Sequence, residues 1–241
     1  MKKAIFIPAR RNSTRLKDKL LLEVKGKPVI AWTVENALKS GYPVVVVCDD
    51  LEFKKVLAKY PVEVILTPSD LKSGSDRIAY ALRELDFDYV VNVQADEPLL
   101  DPKDIDKVFN ALIDSQVSTL SYPIQNEEDY LNPNIVKVVT DKDGYALYFS
   151  RSPIPFYRDI NFADMLNILK PQKHIGVYGY QRQALLDFAY KLKPSPLEEI
   201  EKLEQLRLLY NGYKIKVIQA SKDTLGIDTK EDFEKFCSLI L

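Results

Sequence analysis

The chain has 241 residues, of which 46% are hydrophobic and 29% are charged, and its formal net charge is -1. This composition is typical of a globular protein with a sizeable core. The near-neutral balance argues against a nucleic-acid-binding protein but allows a local basic pocket. No apolar run approaches the length of a membrane span and no signal-peptide pattern precedes the first strand, so we expect a cytoplasmic protein that does not bind membranes.

Few side chains are available for disulfide or metal chemistry. Cys48 and Cys237 are the only cysteines, and their apolar surroundings favour buried, reduced thiols over a disulfide or a zinc site. His174 is the only histidine. Mechanisms that need a pair of histidines are therefore excluded.

The N-terminal stretch combines a buried strand with a basic loop. Residues 4–7 form an unbroken apolar run, which predicts a strand that Pro8 ends. The loop that follows carries one acid, Asp18, and five cations: Arg10, Arg11, Arg15, Lys17 and Lys19. Ligands of open α/β sheets bind beyond the carboxyl ends of the strands, so this loop is a candidate site for nucleotide phosphates. It lacks the glycines of a Walker loop, and the alternative is a set of solvated surface charges.

Strands and helices alternate along the next part of the chain. Strands are predicted at residues 44–47, 62–67 and 89–93. Helices are predicted between Pro28 and Gly41, at residues 53–60, and near Ser75, which we expect to be the N-cap of its helix. This order predicts a parallel sheet that is covered by helices on both faces.

The character of the chain changes near residue 134. Strands are predicted at residues 117–124, 136–140, 145–150, 174–181 and 214–219. The Asp143-Gly144 turn favours a hairpin, and residues 151–173 have no clean period, which indicates a functional loop or a partner-contacting segment. We predict one domain over residues 1–241 with an antiparallel insertion at about 134–190.

Capping residues mark the remaining helices. Asp101 fits the N-cap of a helix with an apolar stripe at Ile105, Val108, Phe109, Leu112 and Ile113. The capping box of Ser195 and Glu198 begins a helix that we expect to run to residue 210. Thr229 and Asp232 form the capping box of the last helix, whose stripe is Phe233, Phe236, Cys237 and Ile240.

Two aspartates are candidate metal ligands. Asp96 follows the strand at residues 89–93, and Asp228 lies in a glycine-containing turn before the last helix. Mg²⁺ takes one or two protein carboxylates together with phosphates and water, so these acids and the basic loop together indicate a site for a nucleotide with magnesium. The alternative is that each is an ordinary loop or turn acid.

Several motifs occur in an order that resembles the CMP-Kdo synthetases, the 3-deoxy-manno-octulosonate (Kdo) cytidylyltransferases. They are residues 7–10 (IPAR), 13–16 (STRL), 26–28 (GKP), 73–77 (SGSDR), 93–98 (VQADEP), 144–151 (GYALYFSR), 174–180 (HIGVYGY), 203–207 (LEQLR) and 226–229 (GIDT). The resemblance spans almost the whole chain. Two departures from the family pattern, Ala95 in place of glycine and Lys17-Asp18 in place of Pro-Gly, concern the backbone shape of the loops and remove no functional group.

The resemblance implies a glycosyltransferase-A-like nucleotidyltransferase fold of the α/β class, with a mainly parallel sheet. It implies the transfer of CMP from CTP to Kdo, with release of pyrophosphate, in lipopolysaccharide biosynthesis. The expected cofactor is Mg²⁺. The expected assembly is a homodimer, in which the insertion serves acceptor binding and dimerisation.

The resemblance also assigns roles to individual residues. The nucleotide is expected to contact Ala9, Arg10, Arg15, Lys19, Ser73, Gln94 and Asp96. Kdo is expected to contact Gln94, Arg151, His174, Tyr178, Glu204 and Gln205. The expected catalytic residues are Arg15, Lys19, Asp96 and Asp228, and the two aspartates are expected to hold the metal. Arg151 suits a sugar-acid carboxylate, because its guanidinium can bind both oxygens.

Three other functions remain open at this point. The chain could be a cytidylyltransferase for another sugar acid, such as a sialic acid. It could also be a glycosyltransferase that consumes a sugar nucleotide, or a protein that binds a nucleotide sugar without catalysis. Release of pyrophosphate distinguishes these classes.

Overall fold

A central β-sheet with helices on both faces forms the body of the protein. The computed structural model describes residues 1–11 and 16–240. The strands are β1 (Lys3–Ala9), β2 (Glu23–Val24), β3 (Lys27–Pro28), β4 (Val44–Cys48), β5 (Glu63–Leu66), β6 (Tyr89–Asn92), β7 (Val117–Pro123), β8 (Lys137–Thr140), β9 (Ala146–Ser150), β10 (Gln172–Gln181) and β11 (Ile215–Gln219).

The helices lie between these strands and at the C-terminus. They are α1 (Val29–Leu38), α2 (Leu51–Val56), α3 (Gly74–Ala81), α4 (Pro102–Ala111), α5 (Glu127–Leu131), α6 (Phe162–Ile168), α7 (Arg182–Tyr190), α8 (Pro196–Glu201), α9 (Gln205–Tyr210) and α10 (Lys230–Ile240). A 3-10 helix spans Lys19–Leu21. None of the helices within the described ranges is both long and apolar enough to cross a membrane.

Among the described residues, nine strands form one mixed sheet. Its main path runs β11-β7-β10-β6-β1-β4-β5, and β8 and β9 attach beside β10. The pairs β6–β1, β1–β4, β4–β5 and β7–β11 are parallel, whereas β10 is antiparallel to both β6 and β7. The predicted α/β class, with a mainly parallel sheet and smaller antiparallel parts, is confirmed.

Alternate residues of β1 face opposite sides of the sheet. Ile5 and Ile7 belong to a buried cluster that includes residues of α1, α4 and α10. Ala4 and Phe6 belong to a second buried cluster with residues of α3, α7 and α9. An apolar strand without alternation is required here because both faces of the sheet are covered.

The first strand passes through Pro8, contrary to the prediction that the proline ends it. Pairing with β6 stops at Phe6 and Asn92, whereas pairing with β4 continues to Ala9. The carbonyl of Phe6 accepts from the N–H of Val93 at 2.9 Å, so residue 8 also turns its backbone nitrogen towards the β6 side. Because no β6 partner remains at that level, the proline removes no ladder hydrogen bond.

The N-cap of α3 is Ser73, and the prediction of Ser75 is wrong. Ser73 Oγ accepts from the N–H of Asp76 at 3.0 Å, and the Asp76 carboxylate accepts from the N–H of Ser73 at 3.1 Å. This reciprocal pair starts the helix two residues earlier. A Cβ at Gly74 would lie 2.9 Å from Cγ of Pro8, so the glycine lets the helix begin directly against the end of β1.

The segment after Ser195 forms two helices, where the sequence predicted one. The capping box of Ser195 and Glu198 starts α8 as predicted. Lys202 then takes a left-handed conformation with φ 55°, which ends the helix before α9 begins. Arg207 on α9 donates from Nε and Nη2 to Glu198 at 2.9 and 2.6 Å, and this forked ion pair holds the two helices together.

Local signals give a mixed outcome elsewhere. The hairpin of β8 and β9 and the caps of α4 and α10 are confirmed. Ile113 was expected in the buried stripe of α4 but is 63% exposed, because it lies beyond the helix end. The helices α5, α6 and α7 were not predicted. The first two have five and seven residues, too few turns for a clear apolar period.

Candidate active site

A cavity of about 400 Å³ lies at the carboxyl ends of β1 and β6, which are neighbouring parallel strands. We call it the ion-pair cavity. It is lined by the segment after β1, the start of α3, the turn after β6 and the turn before α10. Its polar lining includes Arg10, Lys19, Ser73, Asp96 and Asp228. This is the edge of an open α/β sheet at which ligands bind.

Lys19 connects the two aspartates of the ion-pair cavity. Its Nζ donates to the carboxylate of Asp96 and, at 2.8 Å, to Oδ1 of Asp228. The lysine side chain is 14% exposed, and that of Asp228 is 48% exposed. Burial opposes the charge on Lys19, but the two carboxylates outweigh it and raise its pKa. The lysine is therefore a cation at neutral pH.

Arg10 and Arg11 differ in their partners. Arg11 donates from its backbone N–H to Asp49 at 2.9 Å and from Nε to Asp18 at 2.7 Å, and its Nη1 is 3.4 Å from Asp50. These acids already satisfy its charge. Arg10 lines the ion-pair cavity, and its buried Nη2 has no hydrogen-bond partner among the described residues. Arg10 is therefore the better candidate for an anionic ligand.

The donor set of the ion-pair cavity fits a magnesium ion that is shared with a polyphosphate. Asp96 and Asp228 contact the same nitrogen of Lys19, so their oxygens lie close enough together for one cation. Within residues 1–11 and 16–240, no group of three or more His, Cys, Asp or Glu side chains could hold a metal ion. Two carboxylates are the share that Mg²⁺ takes from a protein when phosphates and water complete its coordination.

A second cavity, of about 430 Å³, adjoins the first. We call it the aromatic cavity, because His174, Tyr178 and Tyr180 of β10 line it together with Arg151 and Gln205. Three further residues, Gly74, Gln94 and Glu204, line both cavities. A ligand in one cavity and a ligand in the other would therefore meet beside these three residues.

Arg151 is held in place by backbone groups. Its Nε donates to the carbonyl of Glu201 at 2.8 Å, and its Nη1 donates to the carbonyl of Pro133 at 3.0 Å. Lys137, fully buried, donates to the carbonyl of Arg151 at 2.7 Å. Nη2 of Arg151 has no hydrogen bond to any residue that the structure describes. The guanidinium is thus fixed in orientation with one nitrogen available to an anion.

Burial shifts the pKa of three other polar groups of the aromatic cavity in the direction of their neutral forms. Burial lowers the pKa of His174 to about 3 and raises the pKa of the Tyr178 hydroxyl. Burial also raises the pKa of Glu204, and the charge of Asp76 adds to this shift. The hydroxyl oxygen of Tyr178 is buried and has no partner in the described part of the chain. A polar ligand that bonds to this hydroxyl would remove an unsatisfied buried group.

The structure brings together most of the residues that the sequence singled out. The ion-pair cavity contains Arg10, Lys19, Ser73, Gln94, Asp96 and Asp228. The aromatic cavity contains Gln94, Arg151, His174, Tyr178, Glu204 and Gln205. Ala9 is buried within β1 and lines neither cavity, because its side chain belongs to the core. Arg15 lies outside the described residues.

Sequence reasoning did not single out four further polar residues that line the cavities. Lys72 lines the ion-pair cavity, and Asn92, Tyr180 and Lys202 line the aromatic cavity. Lys72 directly precedes the capping serine of α3, and Asn92 ends β6, so their positions beside predicted motifs were the available signal. Lys202 lines the cavity only because the helix is interrupted between α8 and α9, and no local sequence pattern indicated that interruption.

Similarity to known proteins defines the class of enzyme to which this chain belongs. A family model described as cytidylyltransferase matches residues 4–215. The fold is also similar to that of HddC from Yersinia pseudotuberculosis, with a TM-score of 0.71 and 16% identity over all of both chains. The class defined by the family model is that of nucleotidyltransferases that use cytidine nucleotides.

Similarity to individual proteins is more specific. A 3-deoxy-manno-octulosonate cytidylyltransferase of Francisella tularensis subsp. novicida (strain U112) is 46% identical, over 96% of this chain and 95% of that protein. One from Chloroherpeton thalassium (strain ATCC 35110 / GB-78) is 43% identical, over 100% and 98%. A CMP:2-keto-3-deoxy-manno-octonic acid synthetase solved with CTP has a TM-score of 0.91 and 35% identity, over 100% of this chain and 98% of its own. The chain belongs to the 3-deoxy-manno-octulosonate cytidylyltransferase family.

Proposed function

We propose that this protein transfers CMP from CTP to the anomeric hydroxyl of Kdo, giving CMP-Kdo and pyrophosphate for lipopolysaccharide biosynthesis. The observation that carries the proposal is the contact between two unlike cavities, which share Gly74, Gln94 and Glu204. One has the cations and carboxylates that a nucleoside triphosphate requires, and the other has a fixed arginine beside histidine, tyrosine and glutamine side chains. Family membership over nearly the full chain supports the choice of both substrates.

The nucleotide is proposed to bind in the ion-pair cavity. Nη2 of Arg10, to which no described residue bonds, is available to a phosphate, and Lys19 carries a positive charge beside the two aspartates. Ser73 and the first backbone amides of α3 lie at the same cavity and suit the polar edge of cytosine. The role of Arg15 as a further phosphate ligand stays a prediction from the sequence.

Asp96 and Asp228 are proposed to hold Mg²⁺ with the phosphates of CTP. A magnesium ion in that position would neutralise charge on the α-phosphate and the pyrophosphate. Glu97, which follows Asp96, adds little negative charge at neutral pH. Burial raises its pKa to about 8, with the charge of Asp96 contributing.

Kdo is proposed to bind in the aromatic cavity. Nη2 of Arg151, to which no described residue bonds, suits the sugar-acid carboxylate, and the polar side chains of His174, Tyr178, Glu204 and Gln205 suit its hydroxyl groups. The anomeric hydroxyl would then attack the α-phosphorus in line, next to Gln94, and pyrophosphate would leave. The side chains contribute mainly by positioning the two substrates and by stabilising charge on the phosphates.

A pyrophosphate assay tests this function. Purified protein with CTP, Mg²⁺ and Kdo is expected to release pyrophosphate and CMP-Kdo in equal amounts. Sialic acid and other sugar acids are expected to react poorly in the same panel. Equal or faster turnover of another sugar acid would move the assignment to that acceptor, and binding of CMP-Kdo without pyrophosphate release would indicate a non-catalytic binder.

We also propose that the protein is a cytoplasmic homodimer, and that the insertion at about 134–190 contributes to the dimer contact. Apolar side chains are unusually exposed there and on α8: Phe156 is 81% and Ile200 is 80% exposed. Such residues more often mark a contact surface than a solvated one. The cytoplasmic location follows from the use of CTP, an intracellular nucleotide.

Light scattering tests the assembly. The mass at micromolar concentration is expected to be twice that of the chain, and Phe156→Ser is expected to shift it towards the monomer. Leu239→Ser is a matched control, because Leu239 is 65% exposed and belongs to α10, which is not part of the insertion. A monomeric mass for the unaltered protein would contradict the proposal.

A further inference from the structure

Thr119 lies behind the aromatic cavity, on the strand next to β10. It is fully buried on β7, opposite an irregularity in β10 where the register shifts between Ile175 and Tyr178. Because of this bulge, the carbonyls of Ile175 and Val177 both face the hydroxyl of Thr119, at 3.3 and 2.8 Å. The same hydroxyl lies 2.9 Å from Nε2 of His174.

The hydrogen bonds of this hydroxyl determine which nitrogen of His174 carries the hydrogen. A threonine hydroxyl has a single hydrogen to donate, and a carbonyl oxygen can only accept. The hydrogen of Thr119 therefore goes to a carbonyl, and the 2.8 Å contact with Val177 has the better distance. The contact with His174 must then be donated by the ring, so Nε2 bears a hydrogen.

His174 is neutral at physiological pH, so a hydrogen on Nε2 leaves Nδ1 without one. Burial lowers the pKa of this histidine to about 3, which keeps the ring uncharged. In a neutral imidazole the nitrogen without hydrogen is an acceptor. Nδ1 has no hydrogen bond to any residue within the described ranges, and His174 lines the aromatic cavity as well as a smaller cavity of about 180 Å³. The ring of Phe149 packs edge-on against the ring of His174, with 5.2 Å between the ring centroids, and limits its rotation.

We propose that Thr119 is a positioning residue that fixes His174 as the Nε2–H tautomer and thereby makes Nδ1 an acceptor for a hydroxyl of the sugar acid. This inference rests on the proposed function for the identity of the ligand. It adds a selection rule to the aromatic cavity: at the position of His174 the acceptor substrate must donate a hydrogen bond. A substrate that lacks a hydroxyl there would leave Nδ1 unpaired and bind less well.

Nitrogen NMR of the histidine ring tests the tautomer directly. His174 is the only histidine, so protein labelled with ¹⁵N-histidine and freed of any affinity tag gives one pair of ring nitrogen signals. The unaltered protein without ligands is expected to have a protonated, pyrrole-type Nε2 and an unprotonated, pyridine-type Nδ1 near pH 7. Addition of Kdo is expected to shift Nδ1 much more than Nε2. A protonated Nδ1 would overturn the proposal.

Two variants of Thr119 extend the test. Thr119→Val removes the hydroxyl with little change of volume, and we expect the ring to populate the Nδ1–H form and the KM for Kdo to rise roughly 3- to 10-fold, as for a lost neutral hydrogen bond. The KM for CTP should not change. Thr119→Ser keeps the hydroxyl and is expected to retain both the spectrum and the KM of the unaltered protein.

Ser118→Ala is the matched control. Ser118 is the preceding residue of β7, is equally buried, and donates its hydroxyl hydrogen to the carbonyl of Val108 at 2.8 Å on the other face of the sheet. It should lose stability without a change in the ring spectrum or in the KM for Kdo. A change of KM in Ser118→Ala like that in Thr119→Val would overturn the proposal, because general loosening of β7 would then explain both.

The spectra and the kinetics separate this inference from the proposed function. An unaltered spectrum in folded Thr119→Val overturns the inference whatever the enzyme does. An altered tautomer with an unchanged KM for Kdo also overturns it, because the tautomer would then not serve the acceptor. If no sugar acid is converted at all, the proposed function fails, while the spectrum of the unaltered protein still decides the tautomer. That spectrum needs no variant, so the test does not depend on whether Thr119→Val folds.

Discussion

The ion-pair cavity and the aromatic cavity open at the same edge of the sheet but control charge in opposite ways. In the ion-pair cavity, Lys19 stays charged despite its burial, because Asp96 and Asp228 raise its pKa. In the aromatic cavity, burial lowers the pKa of His174 to about 3 and raises the pKa of Glu204. One cavity thus holds compensated charges, whereas burial in the other shifts the pKa of His174 and Glu204 in the direction of their neutral forms, beside the fixed guanidinium of Arg151.

This difference matches the demands of the proposed substrates. A triphosphate with magnesium brings several charges, and opposite charges on the protein stabilise it where it reacts. A sugar acid brings one carboxylate and many hydroxyls, so one cation and several neutral donors and acceptors suffice. The two substrates therefore meet at a boundary between two electrostatic environments, and Gln94 and Glu204 lie on that boundary.

The largest expected effect comes from removing one charge of the ion-pair cavity. Asp228→Asn keeps an oxygen that accepts from Lys19 but removes the carboxylate charge, so kcat should fall by roughly 100-fold or more. The melting temperature should change little, since the ion pair is half exposed on the aspartate side and such pairs stabilise weakly. Higher Mg²⁺ should restore part of the rate. Steady-state kinetics and thermal melting measure both quantities.

Asp223→Asn is the control for the aspartate substitution. Asp223 lies in the same C-terminal loop but forms its ion pair with Lys173, and it lines neither cavity. Its kcat should equal that of the unaltered protein. An Asp228→Asn variant that melts early yet turns over normally per folded molecule would remove Asp228 from the metal site.

A smaller effect is expected from altering Arg151, the fixed guanidinium of the aromatic cavity. Arg151→Lys keeps the charge but loses the planar fork, so the KM for Kdo should rise roughly 10- to 100-fold, as for a lost charge-assisted hydrogen bond, without a change in the KM for CTP. Arg158→Lys is the control, because Arg158 is 87% exposed and pairs only with its neighbour Asp159 among the described contacts. A parallel rise of both Michaelis constants would mean that the substitution disturbs the whole site.

The smallest effect is expected from alanine substitution of Ser73, which distinguishes a role in helix capping from a role in nucleotide binding. Ser73 and Ser195 form the same kind of capping box, at the starts of α3 and α8. Alanine at either position should lower the free energy of unfolding by about 1 kcal/mol. Only Ser73→Ala should also raise the KM for CTP, because only α3 starts at the ion-pair cavity. If the KM for CTP of folded Ser73→Ala equals that of folded Ser195→Ala, Ser73 serves only as a helix cap.

Local patterns predicted the elements whose causes are local. The parallel strands are apolar runs, and the side chains of the caps Asp101 and Thr229 accept from backbone N–H groups two and three positions further along the chain. The end of α8 at Lys202 was missed because the residue with the left-handed backbone is a lysine and not the glycine that usually marks a helix end. That helix end is followed closely by Glu204 and Gln205, which line the aromatic cavity.

Local sequence patterns could not predict the contacts between distant segments of the chain. Lys19 is 77 residues from Asp96 and 209 residues from Asp228, yet one nitrogen bonds both. The sequence suggested the aspartates as a pair, through strand ends and a resemblance, but gave no indication that a lysine of the basic loop lies between them. Thr119 was missed for a similar reason, because its role depends on a bulge in a neighbouring strand.

Two substitutions test most directly whether the ion-pair cavity binds CTP and the aromatic cavity binds Kdo. Arg10 and Tyr178 each have a buried polar atom without a partner among the described residues, one in each cavity. Arg10→Met and Tyr178→Phe remove these atoms, so neither should destabilise the free protein by breaking a hydrogen bond. Both Michaelis constants are to be measured for each variant by pyrophosphate release. The account predicts that Arg10→Met raises only the KM for CTP and Tyr178→Phe raises only the KM for Kdo; the reverse assignment, or equal changes in both constants, would contradict it.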